Sequence, residues 1–359
     1  MATALMNSNW TERTCGMKVG TTGDGSVVDL HVLEHMGIDA AIMTYGARLT
    51  SLRTPDRYGN IEDVILKYSV LDSYLADRSC YLGAIVGRYA NRISSGQICL
   101  GDRTYQAVTN DNGHALHGGE VGFDQQIWSA RPLRSGVELT LTSPDGDQGF
   151  PGNLTVRVRY TILANALRID YFFSTDQTTV VNLTNQTCFN LSGCGDTSIL
   201  DDELTISADR FTPVNSDLVP TGALSPVEGT PFDFRSKTVI GDRLGACHEQ
   251  LEVAGGYDHN FVLNGAAGNL RTVARLHSPA TGRTLRVSTT EPGLQFYTGH
   301  LLDNQRCGKA LEGHGRHAGL CLATQHFPDS PNHPSFPSTE LQPGRVGRST
   351  TIFEFSIDD

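Results

Sequence analysis

Apolar and polar side chains alternate at a period of two along much of this chain, and that pattern constrains the fold more than any other feature. Val137, Leu139 and Leu141 alternate with polar residues up to the turn Ser143-Pro144-Asp145-Gly146. Leu154, Val156, Val158 and Tyr160 alternate with Thr155, Arg157 and Arg159, and Leu167, Ile169 and Tyr171 follow a short Ala164-Asn165 connection. A strand buries one face and wets the other, so this reads as an antiparallel meander. Residues 270–289 repeat the pattern around a turn at Pro279-Ala280-Thr281-Gly282. Helical periodicity is confined to two short stretches, 66–75 and 238–244. So many half-apolar strands cover their faces only by packing sheet on sheet, which predicts one all-β domain over 1–359, a large antiparallel β-sandwich, with an extended N-terminal arm possible over 1–25.

Composition removes several classes. The 359 residues carry 28 Lys+Arg against 39 Asp+Glu, a formal net charge of −11. An acidic chain without basic runs is a poor partner for nucleic acid or an anionic membrane. No apolar run is long enough for a membrane span, and the first residues lack the basic-then-apolar pattern of a secretory signal. The eight cysteines form no C-x-x-C pair, so they read as scattered reduced thiols of a cytoplasmic protein. His314 and His317 lack further ligands at sensible spacing, and neither a metal nor another cofactor is expected.

Six segments look unlike ordinary strands or turns. In Gly87-Arg88-Tyr89-Ala90-Asn91-Arg92-Ile93 the guanidinium groups could grip a polyol or carboxylate through fixed donors. Leu116-His117-Gly118-Gly119, with Trp128 downstream, would let backbone approach a ligand while the imidazole points at it. Residues 181–191 read as an amide-rich strand whose alternation puts Thr184, Gln186 and Cys188 on one face. Its amides either knit loops together or hold a ligand. Gly255 to Phe261, Thr289 to Thr298 and Cys321 to Asn332 add polar groups among aromatics and glycines, the composition of a sugar cleft.

In this order and spacing the segments resemble the aldose 1-epimerase (galactose mutarotase) family, from about residue 46 to the end. Gly87-Arg88-x-Ala90-Asn91-Arg92-Ile93 and Leu116-His117-Gly118-Gly119 carry the resemblance. So do Phe211-x-Pro213-Val214, Gly229-Thr230-Pro231-Phe232-Asp233-Phe234, Tyr257-Asp258-His259-Asn260-Phe261 and Glu291-Pro292-Gly293-x-Gln295-Phe296-Tyr297. The resemblance implies the galactose mutarotase-like supersandwich, of roughly thirty strands, with a cofactor-free site for a pyranose. Family members interconvert α and β anomers. A glutamate takes the anomeric hydroxyl proton and a histidinium protonates the ring oxygen, so both groups titrate.

At the position of that histidine this sequence has Gln186, and at that of the glutamate it has Ala323. An amide does not titrate in water, and alanine carries no functional group. The sugar-holding positions match: Asn91, Arg92, His117, Asp258 and Gln295, with Gln186 as a further donor. His117 and Asp258 are the remaining candidates for proton transfer. Cys188, where the family usually has an aromatic residue, would be a nucleophile only with a depressed pKa, and His326 reads as structural. The expectation is a protein that binds a small cyclic polyol and acts as a repurposed isomerase, cyclase or epimerase. The alternatives are an aldose 1-epimerase in inactivated or substitute-residue form, and a noncatalytic sugar-binding or regulatory protein.

Overall fold

In the computed structural model, residues 16–35, 37–77, 79–193, 197–302 and 315–358 are described. Cys307, Lys309, Glu312 and His314, and residues 1–15 of the expected arm, lie outside them; Met17–Thr21 is an edge strand paired with Val27–His35.

Twenty-eight strands run through the described residues, close to the number the resemblance implies. The expected meander forms the spine of a nine-stranded antiparallel sheet. Its strands Gly136–Ser143, Leu154–Ile162 and Ala166–Thr175 pair in sequence order, and Val346–Ile357 and Arg283–Thr289 continue it. The site sits on a six-stranded sheet: β1 (Cys188–Phe189), β2 (Ala208–Thr212), β3 (Ser225–Pro226), β4 (Asp258–Leu263), β5 (Gly293–Tyr297) and β6 (Leu320–Gln325), in the spatial order β1-β6-β5-β4-β2-β3. A five-stranded meander covers residues 17–63.

Alternation divides the six-stranded sheet. Leu294, Phe296, Leu320 and Leu322 face the nine-stranded sheet and join Val156, Val158, Val287 and Phe353 in one core. Phe189 stacks edge-on against Phe353 across the gap, and Thr324 meets Thr351 hydroxyl to hydroxyl at 2.6 Å. Each fully buried Leu or Phe there contributes about 1.5–3 kcal/mol. The opposite face carries Asp258, Gln295, Tyr297, Cys321, Ala323 and Gln325.

The helices differ from expectation. The first begins at Leu71 and ends at Ala76: Leu66, next to the Ile65–Phe189 bridge, donates its amide to the Cys188 carbonyl, and the Tyr68 amide donates to the Tyr74 hydroxyl, so the chain before Leu71 runs extended. The stretch 238–244 yields a strand pair and a 3-10 turn, Ile240–Arg243. The helix Glu249–Ala254 had no periodicity to announce it; His248 caps its first turn and Gly255, in the left-handed region, ends it. No helix of the described residues is long and apolar enough to cross a membrane.

Candidate active site

A cavity of about 260 Å³ opens above the polar face of the six-stranded sheet. Asn91, Arg92, His117, Gln186, Asp258 and Gln295, all singled out in the sequence, line it together.

Two short strands build one wall. Arg92–Ile93 pairs with Ala115–Leu116, which sets His117 beside Asn91. The two residues lock each other: the His117 amide donates to the Asn91 carbonyl (3.1 Å), and the Asn91 amide donates to His117 Nδ1 (3.2 Å). Both sit at positive φ, 64° for Asn91 and 53° for His117, a conformation that turns their side chains off the strand line. Because Nδ1 accepts, the ring proton rests on Nε2. Burial, reinforced by the Arg92 charge, pulls the imidazole pKa down to about 3. His117 is therefore neutral at physiological pH, a hydrogen-bond donor rather than a histidinium. Tyr81 packs beside it, ring centroids 4.6 Å apart.

Arg92 is pinned by Asp111, Nε to Oδ2 at 2.8 Å. On the sheet, Gln295 Nε2 donates to Asp258 Oδ1 at 2.7 Å, which orients both side chains. Ala323 stands directly across from Gln295 and is buried, so it belongs to the floor beneath the cavity. Gln325, two residues on, reaches the cavity itself.

Several expectations are corrected. Residues 181–191 do not form one strand: pairing breaks into Thr184–Asn185 and Cys188–Phe189, so the three residues expected on one face separate. Thr184 turns inward to the Thr324 carbonyl, and only Gln186 reaches the cavity. The other amides knit loops: Asn182 holds Ala90 and His326, Asn185 holds Gly83, and Asn190 holds Thr197 and Ala318. Arg88 grips no ligand; it is buried against Ser143 and the carbonyls of Pro151 and Gly152. Gly118 is required for the close approach of the Gly87 carbonyl, not for a ligand. Trp128 is in the core, donating to the Phe123 carbonyl.

The reading of reduced thiols also fails: among the described residues Cys80, Cys188 and Cys321 are disulfide-bonded, and only Cys99 and Cys247 are free. Cys188 of β1 stands opposite Cys321 of β6, Cα atoms 4.5 Å apart, and the two form a disulfide across 133 residues of sequence. A cross-strand pair has no signature in linear spacing. The bond also removes Cys188 as a nucleophile. His326 points away from the cavity and pairs with Glu291, Nδ1 to Oε2 at 2.6 Å, in keeping with a structural role.

Sequence reasoning did not assign Tyr81, Asp111 or Gln325. Gln325 had a signal, since it shares the strand face of Ala323. Tyr81 and Asp111 come from loops, whose placement no periodicity reveals. Among the described residues no group of three His, Cys, Asp or Glu could hold a metal ion.

Comparison with known proteins agrees with this architecture. Residues 29–354 match the family model described as aldose 1-epimerase. A galactose mutarotase of Bos taurus is 44% identical over 316 residues, covering 88% of this chain and 90% of that protein. An aldose 1-epimerase of Escherichia coli is 35% identical over 330 residues, covering 91% and 94%. The crystal structure of a galactose 1-epimerase from Lactobacillus acidophilus superposes with a TM-score of 0.85 at 29% identity, covering 96% of this chain and 99% of that one. With the match extending over most of its length, the chain belongs to the aldose 1-epimerase family.

Proposed function

We propose that this protein binds a small cyclic polyol in the cavity and acts on it as an isomerase-class enzyme repurposed from anomer interconversion. The observation that carries the reading is the contrast within the site. Hydrogen-bonding groups for a polyol converge on one cavity, while Gln186 and Ala323 supply no proton-transfer couple. His117 does not replace it, because a neutral imidazole with pKa near 3 neither protonates a ring oxygen nor takes up a proton near neutrality. What remains is orientation, Nε2–H donation from His117, amide donation from Gln186, and Asp258 as the one carboxylate of the sheet floor that lines the cavity. The same neutrality of His117 favours a second reading, a noncatalytic polyol-binding protein.

Polarimetry on freshly dissolved α-D-galactose and α-D-glucose tests the first point. The wild-type protein is expected to leave the spontaneous rate unchanged; protein-dependent acceleration overturns the repurposed reading. Gln186→His combined with Ala323→Glu is expected to recover mutarotation, since each proton-transfer group typically contributes about 10²–10⁴-fold. A folded double variant that stays silent would mean that the cavity is shaped for something other than an aldose.

A further inference from the structure

We propose that the outer face of the nine-stranded sheet is a docking surface for an extended acidic segment of a partner protein, gripped by Arg157, Arg159 and Arg348 around Phe172.

Strand pairing, not a run in the sequence, assembles these cations. Val156 and Val158 point into the core, so Arg157 and Arg159 point outward. Arg157 stands opposite Phe172, and Phe172 opposite Arg348, so two guanidinium groups flank one phenyl ring across three strands. Arg159 reaches the same ring from the next row. The guanidinium carbons of Arg157, Arg159 and Arg348 lie 5.5, 5.5 and 5.9 Å from the ring centroid. That next row runs Arg131, Glu138, Arg159, Asp170, Thr350. Its two carboxylates are buried and already engaged. Glu138 accepts from Arg131 at 2.7 Å and from Arg159 at 2.9 Å, and Asp170 accepts from Arg168 twice at 2.8 Å and from the Thr350 hydroxyl at 2.7 Å. Arg157 and Arg348 are exposed and have no carboxylate partner among the described residues.

The charge balance selects the partner. On this patch the arginines outnumber the carboxylates, although the chain as a whole carries a formal net charge of −11. Farther across the sheet the signs are matched again, with Arg286 opposite Glu354 and Arg275 paired to Asp358. Like charges gathered on one ring repel one another, and a phenyl face returns only about 0.5–1 kcal/mol per exposed cation. An anion laid over them relieves that repulsion. The stacked guanidinium groups present planar forks, which match a carboxylate through two parallel N–H···O bonds. Arg157 and Arg159 are two residues apart on one strand, a spacing of about 6.4–6.8 Å. Carboxylates at alternate positions of an extended chain repeat at that same spacing, which selects an acidic polypeptide over a lone anion.

The test is fluorescence anisotropy of the full chain with a labelled peptide of alternating Glu and Thr, beside a peptide of alternating Lys and Thr and a labelled heparin fragment. The acidic peptide is expected to bind the wild type, with an affinity that falls as salt rises, and the lysine peptide is not. Arg157→Glu combined with Arg348→Glu should weaken the acidic peptide by about tenfold or more, because like charges then face each other. Arg157→Lys combined with Arg348→Lys keeps the charge but loses the fork, and should weaken it by about threefold. If the reversed double variant does not fold, Arg157→Gln combined with Arg348→Gln serves, with a loss in the same direction. An acidic peptide that fails to bind the wild type, or binds the wild type and the reversed variant alike, overturns the proposal. Binding of the heparin fragment without binding of the peptide also overturns it and assigns the face to a sulfated polysaccharide.

Discussion

The two faces of β6 come from six consecutive residues, yet they are built by opposite rules. Leu320, Leu322 and Thr324 point into the sandwich, where the leucines pack in the core and Thr324 is matched by Thr351. Cys321, Ala323 and Gln325 point the other way, where Gln325 Nε2 and Gln295 Oε1 lie buried without a hydrogen-bond partner. One face is saturated and holds the sheets together. The other is left incomplete, and its incompleteness is stable only because the first supports it. Sites built on rigid strands keep their geometry in this way, since the strand is fixed by contacts the ligand never touches.

Substitution on the saturated face should have the largest effect. Leu322→Ala removes buried methyl groups between two sheets and is expected to cost about 2–5 kcal/mol in urea unfolding. Gln325→Met, on the incomplete face, exchanges an unmet amide for an apolar chain of similar length and should change stability by about 1 kcal/mol or less. If Gln325→Met proves as damaging as Leu322→Ala, the two faces are not divided between stability and binding.

The disulfide joins the incomplete face to β1, and so it sharpens the same comparison. Cys188 and Cys321 enclose a loop of more than a hundred residues, and cross-links of that kind typically contribute about 2–4 kcal/mol. The double variant Cys188→Ala with Cys321→Ala should lose that amount in urea unfolding, and reductant, which also opens the Cys80 bond, should cost the wild type at least as much. A melt indifferent to reductant would show that the pair stays reduced in solution. A bond that persists in the isolated native protein would weigh against the cytoplasmic location expected from the sequence, because disulfides endure in oxidising compartments.

What the sequence disclosed follows the same division. The saturated face was legible because burial imposes a period of two: Leu154 to Tyr160 and Leu167 to Tyr171 lie in paired strands as their alternation requires. Asn91, Arg92, His117, Asp258 and Gln295 were legible through resemblance, and the structure brings them to one cavity. The roles of Arg88, Trp128 and the glycine after His117 were misread, because a buried guanidinium on carbonyls and one on a ligand use the same residue type. The Cys188–Cys321 pair and the place of Ala323 beside Gln295 depend on which strands become neighbours. That is decided by pairing over more than a hundred residues, and no local pattern records it.

The smallest expected effect concerns two histidines that these faces treat differently. His117, walled into the cavity, is held neutral. His326, turned away from it, is partly buried: burial opposes its charge, but the Glu291 carboxylate 2.6 Å away overcomes that and raises its pKa above the ordinary 6.5. The signs are opposite. A raised folded-state pKa means that the native protein holds its proton more tightly than the unfolded chain, so the His326 contribution is complete below pH 6.5 and fades as pH rises through the folded value. His117, with His259 likewise buried and held near 3, binds protons more readily when unfolded, so these residues erode stability as pH falls below 6.5. Unfolding free energies of wild type and His326→Gln across pH 5–9 separate the terms. The variant should be the less stable at pH 6, with the difference shrinking toward pH 9 by at most about 1.4 kcal/mol per pH unit, the limit for one proton. A difference independent of pH would mean that His326 acts through packing alone and that the Glu291 pair carries no charge.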